Sequence, residues 1–96
     1  MTKELPVIWS PLAKDNFLNI IRHILHKWSL KDARKFDDKV KKLINSIKIQ
    51  HNLCAKAKKS NLRKCIITSQ TSLIYKVNKT SIELVNFIDN RSKPKY

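Results

Sequence analysis

Glycine is absent from all 96 residues. Loops that cradle phosphate need glycine where a Cβ would block the backbone's approach, so P-loop and dinucleotide fingerprints are nearly excluded. Turns fall instead to Asn, Ser, Lys and Gln, and Asn78 is the residue suited to a positive φ. There are only two cysteines, Cys54 and Cys65. Neither their number nor their spacing suggests a disulfide scaffold. Cys65 reads as a small buried hydrophobe in a strand, and a reduced cytoplasmic setting is the expectation. No apolar run reaches membrane-spanning length, and the first nine residues are too short and broken for a signal peptide. Acidic residues are scarce too: 7 Asp and Glu face 21 Lys and Arg, a formal net charge of +14.

That charge repels itself, and an anionic partner relieves it: nucleic acid, a ribosome, an acidic protein or a membrane surface. A general basic composition, with Lys far ahead of Arg, is the plainer alternative. Hydrophobic residues make up 42%, enough for one modest core, so residues 1–96 are read as a single domain.

Leu5 to Trp9 is β-branched and aromatic, a first strand with Pro6 near its edge. Ser10 and Pro11 then open a helix as N-cap and first turn. Ala13, Phe17, Ile20, Ile21, Ile24 and Trp28 form its buried stripe, so Trp28 is expected in the core. Ser29 with Asp32 starts a second helix through a capping-box variant. Its apolar face carries Ala33, Phe36, Val40, Leu43, Ile44 and Ile47, and lysines cover the others. Gln50 to Asn61 lacks a period and carries Lys56, Lys58 and Lys59, a basic loop. Strands follow at Leu62 to Thr68, Ser72 to Val77 and Ser81 to Ile88, with turns at Ser69–Thr71 and Asn78–Thr80. The order β-α-α-β-β-β predicts an α+β fold, a helical hairpin on a largely antiparallel sheet.

After the last strand come Asp89, Asn90, Arg91, Lys93 and Pro94. This ending resembles the C-terminal motif of the RelE/ParE toxin superfamily, which includes plasmid-stabilisation-type toxins of type II toxin–antitoxin systems. The resemblance runs through Trp9-Ser-Pro-Leu-Ala13, Ala33-x-x-Phe36, Asn61-Leu-Arg-Lys64, Ser72-Leu-Ile-Tyr-Lys-Val77 and Ile82-Glu-Leu-Val85. It implies a growth-inhibiting toxin neutralised by a cognate antitoxin, whose acidic, partly disordered segment wraps the basic surface or adds a helix or strand in an exposed groove. Two mechanisms exist in the superfamily: RelE-like members cut mRNA on the ribosome, and ParE-like members inhibit DNA gyrase.

Cutting RNA through its 2′-hydroxyl requires proton removal, a stabilised phosphate and a protonated leaving oxygen. RelE-like sites use Lys, Arg and a C-terminal Tyr. By resemblance Arg63 and Arg91 fall on two cationic positions, and Tyr96 lies one place from the expected Tyr. Cys65 and Ser72 occupy two further cationic positions and supply no charge. Lys56, Lys58, Lys59, Lys64 and Lys93 are the candidate phosphate contacts. The plainer readings are a strand-edge charge for Arg63, an ion pair with Asp89 for Arg91, a terminus for Tyr96 and core packing for Tyr75. His23 with His26, and His51 with Cys54, lack a third ligand, so no metal is expected. The catalytic candidates are therefore Arg63, Arg91 and Tyr96, in a cofactor-free site. A gyrase-binding toxin and a non-toxic nucleic-acid-binding module are the competing readings.

Overall fold

Ser10 is extended, and its Oγ accepts a hydrogen bond from the Ala13 amide at 3.0 Å. With Pro11 at the first helical position it starts the helix where the sequence places it. The computed structural model describes residues 4–89. Its elements are β1 (Val7–Trp9), α1 (Pro11–Lys27), α2 (Leu30–Ile49), β2 (Arg63–Ile66), β3 (Thr71–Val77) and β4 (Ile82–Asp89). Ser29 caps α2 by accepting from the Asp32 amide at 3.1 Å, and its hydroxyl donates to Asp32 Oδ2 at 3.0 Å. Neither helix is long and apolar enough to cross a membrane.

The sheet order is β1-β4-β3-β2. The short edge strand β1 runs parallel to β4, and the other pairs are antiparallel. Central β3 is buried from Thr71 to Tyr75 on both faces. Leu73, Tyr75, Ile82, Leu84 and Phe87 meet Ala13, Phe36, Val40, Ile44 and Ile47 in one core. Trp9, Phe17, Phe36 and Phe87 form an aromatic chain with ring centroids 5.3 to 6.0 Å apart. Such pairs add about 0.5–1.5 kcal/mol each beyond their burial.

Phe87 reaches that chain because β4 carries a bulge. Ile74 pairs with Asn86 and Tyr75 with Leu84, so Val85 has no partner in the register. The extra residue shifts the alternation from Ile82 and Leu84 to Phe87, which keeps all three on the core face. Ser10 Oγ donates to the Val85 carbonyl at 2.7 Å, and the Ser10 amide donates to the Leu84 carbonyl at 3.0 Å.

Three expectations are corrected. Trp28 is not core: it follows α1 as its C-cap and is 65% exposed. No described residue has a positive φ; the turn after β3 closes with the Asn78 amide donating to the Ser81 carbonyl at 2.8 Å. Cys54 and Cys65 are joined in a disulfide, with Cα atoms 5.4 Å apart. Cys65 is buried as expected, but as half of a crosslink, because the loop after α2 folds back beside β2.

Removing the Ser10 hydroxyl takes away a helix cap and a partner of the bulge carbonyl. Ser10→Ala is expected to cost about 2–3 kcal/mol, against about 1 kcal/mol for the exposed cap change Ser29→Ala. Urea unfolding of both variants measures the difference; equal losses would show that the bulge does not depend on Ser10.

Candidate functional site

Two surfaces present chemistry. The first lies where the basic loop meets β2. Lys56 bridges to Arg63 in antiparallel fashion, the Ala57 amide donates to the Leu62 carbonyl at 2.8 Å, and the Lys64 amide to the Ala55 carbonyl at 3.2 Å. The loop thus covers the outer edge of β2 along these residues. Arg63 is half-buried, and its Nη1 donates to the Cys54 carbonyl at 2.8 Å. Opposite it in β3, the Tyr75 hydroxyl donates to the His51 carbonyl at 3.0 Å and accepts from the Cys54 amide at 3.3 Å. The Lys48 carbonyl accepts from His51 Nε2 at 2.9 Å. The polar side chains at this end hold backbone in place.

Lys56, Lys58 and Lys59 are exposed around this anchor, while Lys64 is half-buried on β2. Cys65 and Ser72, which the resemblance alone aligns with cationic positions of RelE-like toxins, are locked in the disulfide and fully buried, respectively. Arg63 pairs with Tyr75, whereas Asp89, the last described residue of β4, pairs with Thr71. Four residues of β3 and two strand spacings separate those levels, about 16 Å of backbone. Arg91, Lys93 and Tyr96 lie outside the described residues. Tyr75 is core, as its alternation implied. No described group of three His, Cys, Asp or Glu is placed to hold a metal ion.

The second surface is a groove of about 710 Å³ between the helices and the far end of the sheet. Ile20, Ile24, Phe36 and Phe87 give it an apolar floor, and Asn19, His23, Lys35 and Lys39 are among its polar lining. Exposed Trp28 lines it as well. Asn16 Nδ2 donates to Asn86 Oδ1 at 2.6 Å, tying α1 to β4 there. Sequence reasoning did not single out this groove, although Asn16, Asn19 and His23 recur at helical spacing beside the apolar stripe.

Burial raises the pKa of Tyr75, against smaller lowering effects from the Cys54 amide and the Arg63 charge. Folded Tyr75 therefore keeps its proton better than the unfolded chain. Its contribution is present below about pH 10, the ordinary tyrosine value, and is lost as pH rises through the raised folded value. Tyr75→Phe should cost about 1–3 kcal/mol at neutral pH by leaving the His51 carbonyl without its donor. It should also flatten the alkaline fall in Tm; a fall identical to that of the parent chain would remove Tyr75 as its source.

Comparison with known proteins places this geometry. The family model described as ParE toxin of type II toxin–antitoxin system, parDE, matches residues 7–94. No curated protein matches the chain. Among solved structures, a chain of the chromosomal ParDE toxin–antitoxin system from P. aeruginosa superposes with a TM-score of 0.75 at 13% identity, covering 90% of this chain and 96% of that one. The YoeB dimer structure from Staphylococcus aureus gives 0.63 at 18% identity, covering 86% and 93%. A conserved hypothetical protein from Helicobacter pylori gives 0.52 at 16% identity, covering 92% and 97%. At these identities the structures speak for the fold alone, and the family model carries the assignment: the chain belongs to the ParE toxin family of type II toxin–antitoxin systems.

Proposed function

We propose that this toxin arrests growth by binding DNA gyrase, without cutting mRNA, and that it acts in the cytoplasm. The observation that carries the reading is the engagement of Arg63. Of the RelE-type cation positions within the described residues, it alone keeps a charge, and its guanidinium holds the Cys54 carbonyl. Cys65 and Ser72 offer none, and the one described tyrosine near Arg63 is buried and resists deprotonation. Among the described residues, such a surface brings together no acid, base and cations of the kind RNA cleavage needs, and it suits a binding face. Arg91 and Lys93, following β4, are assigned to the target contact, with Lys56, Lys58, Lys59 and Lys64 as secondary charge.

Membership of the family implies a cognate antitoxin. The groove along α1 and α2 suits its docking segment: apolar side chains toward Ile20, Ile24 and Trp28, acidic ones toward Lys35 and Lys39. Association is then fast and weakens with salt.

Inducible expression followed within minutes by plasmid topology and mRNA 5′-end mapping tests the target. Inhibited supercoiling by purified gyrase, with no new 5′ ends, is expected. Ribosome-dependent cuts within codons that vanish in Arg63→Ala would replace this reading with the nuclease one. Arg91→Ala is expected to abolish growth inhibition with an unchanged circular dichroism spectrum; full toxicity would free Arg91 of the role.

A further inference from the structure

The crosslink between Cys54 and Cys65 spans 11 positions and encloses Lys56, Lys58 and Lys59. Its two sulfurs differ in access. Cys65 is 2% exposed and belongs to the core cluster, whereas Cys54 is half-buried between exposed Leu53 and Ala55. Cys54 is also where the loop is pinned by other means: its amide to Tyr75 and its carbonyl to Arg63. Breaking the crosslink therefore leaves Cys54 seated and removes one of the ties on the lysine segment beyond it, which is then held by the backbone bonds Ala57 to Leu62 and Lys64 to Ala55.

We propose that this disulfide is a thiol–disulfide exchange site for a dithiol reductant, entered at Cys54, whose state determines how firmly the basic loop is clamped to β2. A thiolate of the reductant attacks Cys54 Sγ. The S–S bond breaks, and Cys65 Sγ leaves with the electron pair and takes up a proton. The reductant's second thiol, losing its proton, attacks the mixed disulfide, forms the reductant's own disulfide and releases Cys54 as a thiol. Two electrons and two protons pass to the pair. The Arg63 guanidinium, bound to the Cys54 carbonyl, places positive charge near Cys54, which favours thiolate character there during the exchange. In the reduced form Cys65 remains a small buried hydrophobe within the core. Cys65 shares the core with Phe36, Leu73 and Tyr75, and these apolar contacts do not need the S–S bond, so the fold is expected to survive its reduction. The exchange is a property of the loop and stands apart from the target assigned above.

The test uses the purified full chain, oxidised in air, with and without dithiothreitol, read by iodoacetamide labelling, thermal melting and trypsin digestion with mass spectrometry. Expected are no label without dithiol, Cys54 labelled ahead of Cys65 on reduction, and a Tm lower by about 10 °C. Cleavage after Lys56, Lys58 and Lys59 should accelerate about tenfold, following the loop-closure freedom regained. Cys54→Ser should show the fast cleavage in both conditions. Two freely labelled thiols in the air-oxidised chain, Cys65 labelled first, or loop cleavage indifferent to dithiol would each overturn the proposal. None of these readouts depends on growth arrest, so failure here and failure of the gyrase reading are separable.

Discussion

The single hydroxyl of Ser10 sits where an edge strand becomes a helix, and it serves both. It caps α1 and at the same time donates to the carbonyl of Val85, the residue that has no partner across β3. Without the bulge, strict alternation would send Phe87 to the face opposite Leu84. Phe87 contacts Trp9 and Phe17, and Phe17 stacks on Phe36 of α2. The position of both helices over the sheet therefore rests on where one extra residue is accommodated. Because β1 is only three residues long, its pairing with β4 offers little independent support. The serine links that short strand, the helix start and the bulge into one unit.

On the other side of β3, against β2, the same economy governs the basic loop. A chain with no glycine cannot rely on permissive backbone there, and the loop between α2 and β2 is fixed instead by side chains. Tyr75 satisfies two backbone groups, Arg63 a third, and the crosslink closes the segment. The guanidinium of Arg63, a candidate catalytic group by resemblance, is here directed at a carbonyl. Catalysis by fixed charge depends on donors aimed at the reacting atoms, so a guanidinium committed to a loop carbonyl is poorly placed to supply it. A binding toxin has no such requirement and tolerates cations spread over exposed positions.

Much of this was legible in the residues. Ser10-Pro11 and Ser29 announced both helices, the stripe from Ala33 to Ile47 gave the face of α2, and the three C-terminal strands were visible as β-rich runs. Local patterns carry local structure well. The bulge was less visible because Ile82, Leu84 and Phe87 reveal it only through a broken period, and nothing in a single strand says which neighbour accepts the extra carbonyl. Trp28 misled for a related reason: it continues the stripe of α1, but the helix ends before it and the residue leaves the core. The crosslink was missed because two cysteines carry no pairing signal until the loop's return path is known. Arg63 was identified as important by its position, yet its hydrogen-bond partner, nine residues earlier in the chain, could come only from the fold.

The charge of the molecule then acquires a structural meaning. Of the 7 acidic residues, three make these contacts: Asp32 in the cap of α2, Asp37 with Lys41 at 2.8 Å, and Glu83 with Lys76 at 3.6 Å. Both ion pairs are substantially exposed, so each contributes little to stability. They neutralise only a small part of the net +14, and the remaining lysines on α2 and the basic loop repel one another within about a Debye length of 8 Å in physiological salt. A partner that supplies acidic side chains relieves that repulsion and fills the groove floor in the same event. A partner that binds the folded chain and not the unfolded one adds to the stability of the fold by mass action. On the proposed docking, the surplus of positive charge that weakens the free toxin would be what favours an acidic antitoxin segment over neutral competitors.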